Sequence, residues 1–178
     1  MQTKNLVNLP LGQNPPNIVN AIVEIPKESR NKYEYDKERC ASRLDRVPYS
    51  SVHHSANYGF IPSTWSTDGD PLDVLILVNE PAFLGILIDV RPIGIFYMKH
   101  EGGEDVKMIS VPFRDPYYAS TKDISDVPLQ FTFEVNHFFL RLQGARGQGV
   151  ITFGYKGAEE AEEIIMRGHK DFRNNGWV

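Results

Sequence analysis

A single cysteine, Cys40, stands in the chain of 178 residues, so no internal disulfide can form, and such a composition fits a reducing compartment. No apolar run approaches the length that crosses a bilayer as a helix. The first residues show no basic stretch followed by an apolar one, so neither a membrane anchor nor a secretory leader is expected. Positive charge is also short: 19 Lys and Arg against 23 Asp and Glu leave a net charge of −4, which argues against non-specific nucleic-acid binding as the main task. Repeats, linkers and low-complexity tracts are missing, and the length suits one domain over residues 1–178. With 41% hydrophobic and 24% charged residues, the remainder is an ordinary globular composition, large enough to bury a core. A cytoplasmic protein is the expectation.

The most informative stretch runs from Asn57 to Asp73. It holds Asn57-Tyr58-Gly59-Phe60-Ile61-Pro62 and then Asp68-Gly69-Asp70-Pro71-Leu72-Asp73, three carboxylates within six residues. Gly69 and Pro71 restrict the turn to few shapes, so the acids should converge. The apolar run of residues 73–78 reads as a strand, which puts the acids at the lip of a sheet. Carboxylates this close raise one another's pKa unless a counter-charge is supplied, and Mg²⁺ with its all-oxygen preference is the natural one. A plain solvated acidic turn is the competing reading. An EF-hand counted from Asp68 fails, because its sixth and twelfth positions are Asp73 and Asn79 rather than Gly and Glu. A phosphoaspartate hydrolase fails too, since its acids follow the strand.

In chain order, residues 1–17 read as an extended arm and residues 18–25 as a strand. Tyr33-Glu34-Tyr35 reads as its hairpin partner, and residues 41–47 as a third strand. A long strand is predicted over residues 85–98, with Pro92 marking a bulge or an edge. A glycine turn through His100-Glu101-Gly102-Gly103 leads to a strand over 106–111, a second hairpin. Residues 112–127 read as loop with a short helix, and residues 128–142 fit strand or helix. A last strand is expected over 149–155 and a dipole-matched helix over 158–172.

These stretches resemble the soluble family I inorganic pyrophosphatases over nearly the whole chain. The resemblance rests on Val23-Glu24-Ile25-Pro26, Lys32-Tyr33-Glu34 with Asp36-Lys37-Glu38, Leu44-Asp45-Arg46, Asn57 to Pro62, Asp68 to Asp73, Arg91-Pro92-Ile93-Gly94 and Gly103-Glu104-Asp105-Val106-Lys107. It implies an α+β, mainly β fold, a five-stranded barrel like the oligonucleotide-binding fold with flanking helices. It also implies Mg²⁺-dependent hydrolysis of pyrophosphate, with Mn²⁺ or Zn²⁺ as possible substitutes, in a homohexamer with no nucleic-acid or membrane partner. Carried over by position, Asp68, Asp73 and Asp105 hold an activating metal, and Asp70 accepts a proton from the attacking water. Lys32, Arg46 and Lys107 neutralise phosphate charge, Glu34 reaches a substrate-borne metal, and Tyr58 donates a hydrogen bond near the metals. Glu24 and Glu101 belong to the acidic surround.

Several positions depart from the family pattern. His54 replaces a tyrosine and is read as a packed or surface histidine; His100 replaces an aspartate; Leu142-Gln143 replaces a Tyr-Lys pair; Cys40 replaces a glycine. An ammonium on phosphate is worth roughly 1.5 to 3 kcal/mol, so the loss at Gln143 weakens substrate binding unless Arg141 or Arg146 reaches the gap. Imidazole at His100 weakens the hold on Mg²⁺ and tolerates Mn²⁺ or Zn²⁺ better than a carboxylate would. The alternative is a degenerate paralogue that binds metal or phosphate, or serves assembly, with weak or no activity.

Overall fold

The computed structural model describes residues 5–48, 51–100, 103–144 and 149–175. Within them lie β1 (Val19–Ile25), β2 (Lys32–Asp36), β3 (Ala41–Arg46), β4 (Asn57–Ile61), β5 (Leu72–Ile76), β6 (Leu87–His100), β7 (Gly103–Pro112), α1 (Leu129–Gly144), β8 (Ile151–Gly157) and α2 (Ala158–Asn175). Strands β1, β4, β5, β7 and β6 follow one another in a sheet, and β1 pairs back to β6, so five strands close into a ring. This is the closed five-stranded architecture implied by the resemblance, mainly β with two helices among the described residues. Closure removes the unpaired edges that an open sheet exposes.

The 14-residue β6 carries most of the closure. One side pairs with β7 along its length, while the other pairs first with β1 and then, from Gly94 onward, with β8. The predicted irregularity at Pro92 is present as a register shift between Pro92 and Gly94, where a residue without an N–H cannot continue the ladder. Helix α2 covers one apolar layer through Ala161, Ile164 and Ile165, against Val23, Val74, Ile76, Ile95 and Met108. Helix α1 covers the other through Val135, Phe138 and Phe139, against Leu75, Phe96, Ile109 and Val111.

Two expectations are corrected. The strand at 18–25 does not form a hairpin with the next one: β1 enters the ring between β4 and β6, and β2 pairs with β3 as a separate two-stranded sheet. The reason is composition, since β1 is apolar at five of its seven residues and those five are buried, whereas β2 and β3 are charged at six of their eleven and are partly or fully exposed. Residues 57–61 also form a strand, β4, that their glycine and polar residues concealed. Gly59 is needed there because a Cβ would fall on the Ile22 carbonyl of β1.

Candidate active site

The acidic turn is built by local hydrogen bonds. Asp68 Oδ1 accepts from the Asp70 N–H at 3.1 Å, Ser66 N–H donates to the Asp70 carbonyl at 2.8 Å, and Gly69 takes φ of +84°. Thr64 Oγ1 ties the turn to β5 by accepting from Leu72 N–H at 3.0 Å. Asp68 and Asp70 stand exposed at the rim, and Asp73 sits inside β5. The parallel pairing of β5 with β7, Val74 opposite Met108, puts Asp73 beside Lys107, and alternation along β7 puts Asp105 on the same face.

Lys107 is therefore buried between two carboxylates. Its Nζ pairs with Asp73 Oδ2 and lies 2.8 Å from Asp105 Oδ1, with the Tyr58 ring 5.7 Å away. Burial alone would lower the ammonium pKa, but Asp73, Tyr58 and Asp105 outweigh it and hold Lys107 well above the ordinary lysine value. Burial, then the Asp73 charge, raises the Tyr58 hydroxyl well above its usual range. Among the described residues no three carboxylate, imidazole or thiol groups meet at one point. The expected convergence of the acids is thus only partial, because their repulsion is relieved by the chain's own lysine.

A bulge in β1 between Val23 and Ile25 turns Glu24 toward the same space, where its Oε1 accepts from Tyr35 N–H at 2.7 Å. Burial pushes the Glu24 carboxyl up to about 8, with the Asp73 and Glu34 charges adding to the rise and the Tyr35 hydrogen bond opposing it. Facing these acids is the β2–β3 hairpin. Lys32 Nζ lies 2.5 Å from Glu34 Oε1 and 3.7 Å from Asp45 Oδ2. Arg46 Nε and Arg43 Nη2 approach Asp45 at 3.3 and 3.9 Å, so Asp45 gathers three cations on one wall. The shift of register between Lys32 and Tyr33 leaves Asp45 as the extra residue that makes this possible.

All of Glu24, Lys32, Glu34, Arg46, His54, Tyr58, Asp68, Asp70, Asp73, Asp105 and Lys107 line one cleft of about 610 Å³, floored by Phe138 and Phe139 of α1. His54 is buried against Phe138, ring centroids 4.5 Å apart, and its Nδ1 lies 3.0 Å from the Ser29 carbonyl; burial lowers its pKa. The sequence left it either packed or at the surface, and it is packed, at the edge of the cleft. Glu101, Arg146 and the side chains of His100, Leu142 and Gln143 lie outside the described residues. Arg141 does not line the cleft; its Nε donates to His137 Nε2 at 3.3 Å.

Sequence reasoning missed Lys37 and Arg43, which also line the cleft. Lys37 Nζ reaches Asp70 Oδ1 at 3.0 Å, joining the end of β2 to the acidic turn. The clue was the Asp36-Lys37-Glu38 stretch, but only the hairpin's placement over the ring gives it a partner.

A closed five-stranded ring with a carboxylate wall facing a cationic wall defines the class, an enzyme that handles a small polyanion. Comparison with known proteins gives the family. The Inorganic pyrophosphatase family model matches residues 21–173. The inorganic pyrophosphatase of Sulfolobus acidocaldarius is 46% identical over 158 residues, 87% of this chain and 91% of that protein. That of Methanosarcina mazei is 42% identical over 145 residues, 82% and 86% of the two chains. The crystal structure of the Thermus thermophilus inorganic pyrophosphatase superposes with a TM-score of 0.91 at 37% identity, covering 96% of this chain and 99% of that one. The chain belongs to the inorganic pyrophosphatase family.

Proposed function

We infer that this protein hydrolyses inorganic pyrophosphate to two phosphates with a divalent cation, Mg²⁺ before Mn²⁺ or Zn²⁺, and that it does so as one domain spanning residues 1–178. The observation that carries the reading is the opposition of the two walls across the cleft, cations of β2 and β3 facing carboxylates of β5, β7 and the acidic turn. A substrate carrying several negative charges needs both a direct grip and a cation between itself and the carboxylates.

The donor set suits a hard cation. Asp68, Asp73 and Asp105 offer only oxygens, and a positive charge already rests between Asp73 and Asp105. These three would hold the activating ion, with Glu34 available to a substrate-borne one. When bound, such an ion lowers the pKa of water and offsets charge on the phosphoryl oxygens. Lys32 and Arg46, with Arg43 beside them, bind phosphoryl oxygens, the guanidinium of Arg46 being suited to a forked contact. Asp70, at the rim and acceptor-only when ionised, takes the proton of the attacking water at its carboxylate. Tyr58, whose ring lies 5.7 Å from Lys107 Nζ, donates its hydroxyl near the metal ligands.

Phosphate release from pyrophosphate by the purified protein, measured in turn with Mg²⁺, Mn²⁺ and Zn²⁺, tests the reading. Release is expected, and Asp70→Asn should lower kcat by a hundredfold or so while cation binding stays near the wild-type level. A folded sample inactive with all three ions would overturn the enzyme and leave a binding or assembly role. The family resemblance also supports a homohexamer in the cytoplasm, for which light scattering measures the assembly.

A further inference from the structure

We propose that Lys107 is an internal counter-ion that occupies the cation position between Asp73 and Asp105, so that a divalent ion enters only by displacing it. The proposal rests on the reading of Asp73 and Asp105 as cation ligands. Three observations carry it. The Lys107 side chain is 7% exposed and its Nζ pairs with both carboxylates, which are themselves 28% and 19% exposed. Among the described residues no third acidic, imidazole or thiol group joins Asp73 and Asp105, and the charge set between these two carboxylates is the Lys107 ammonium. The register of β5 on β7, which sets Asp73 beside Lys107, makes the arrangement a property of the sheet rather than of a mobile loop.

The physical argument is one of exchange. Two half-buried carboxylates facing each other without a cation repel and are poorly solvated, so the lysine stabilises their placement side by side. The same ammonium repels an entering ion. A cation that binds must therefore supply both its own coordination and the free energy of parting Lys107 from its partners, and its apparent affinity is reduced by that amount. Once displaced, the ammonium stays in the cleft on a flexible four-carbon stem, across from the cations of β2 and β3, where it can meet a phosphoryl oxygen. Cation entry would thus create a phosphate contact that Lys107 cannot make while paired with Asp73 and Asp105, so each ligand strengthens the other.

Calorimetric titration of Mg²⁺ and Mn²⁺ into the full chain, without substrate, tests this. Lys107→Met should bind the ion at least about tenfold more tightly than wild type, because the competitor is gone. Lys107→Arg, which retains a charge, should stay within about threefold of wild type. Lys37→Met removes the same charge from the exposed rim and should also change affinity by less than about threefold, since solvent screens it. Added Mn²⁺ should raise the Tm of Lys107→Met by more than it raises that of wild type, a readout independent of turnover. If Lys107→Met does not fold, Lys107→Gln carries the same expectation, its amide filling the space without the charge. Equal affinities in wild type and Lys107→Met, or an equal gain in Lys37→Met, would overturn the counter-ion while leaving the cation ligands in place. No binding to any of these proteins would overturn both.

Discussion

Glu24 shows how far a single group depends on its setting. Its carboxyl, pushed up to about 8 from an ordinary 4.5, stays protonated in the fold at pH values where the unfolded chain has released its proton. Between those values the folded state binds more protons, so stability falls as pH rises through that window, and the loss is complete above about 8. Glu24→Gln, which cannot ionise, should abolish this slope and be more stable than wild type at pH 8.5 by ~1–3 kcal/mol. Urea unfolding in a chelator across pH 5 to 9 measures it; parallel pH profiles for the two proteins would contradict it. At this scale the carboxylates Asp68, Asp70 and Asp73 were legible because one short motif contains them. Lys37, Arg43 and the gathering role of Asp45 were not, since each depends on a strand register or on a partner more than thirty residues away, such as Asp70 for Lys37.

Among the elements, β4 and α1 were the hardest to read. In α1 the order Phe131, Phe133, Val135 imitates a strand, yet Phe133 is 68% exposed while Val135, Phe138 and Phe139 are buried at helical spacing. Packing against the ring, rather than local preference, decides the outcome. Helix α2 was plain from its acidic start and basic end, and its fastening to the site was not: His169 Nδ1 lies 2.7 Å from the Ser63 carbonyl, and Trp65 N–H donates to the Gly168 carbonyl at 2.9 Å. For β4 the decisive residue is Gly59. Gly59→Ala would press a methyl group onto the β1 backbone at Ile22, and should cost ~3 kcal/mol or more and part β1 from β4. Denaturant unfolding decides this; a change below about 1 kcal/mol would mean that the two strands can separate without loss.

For the molecule as a whole, charge of both signs is drawn into the cleft. The chain carries −4 overall, yet Lys32, Arg43 and Arg46 collect on one wall of the cleft. Attraction of an anion is then local and open to screening. Raising ionic strength from ~10 mM to ~0.5 M shortens the Debye length from about 30 Å to a few ångströms, and should raise KM several-fold with kcat changing by less than about twofold. Equal loss in both would place the salt effect on the chemical step instead. The ring itself was legible mainly through the family resemblance, because its closure by β1 on β6 joins segments some seventy residues apart that no local pattern connects. The β2–β3 hairpin, by contrast, pairs in its sheet only with itself. It is buttoned to the frame through Tyr35, whose N–H donates to Glu24 and whose ring meets Phe60, so its outward charges can be exchanged to retune which anions are gripped while the strands that seat the carboxylates keep their register.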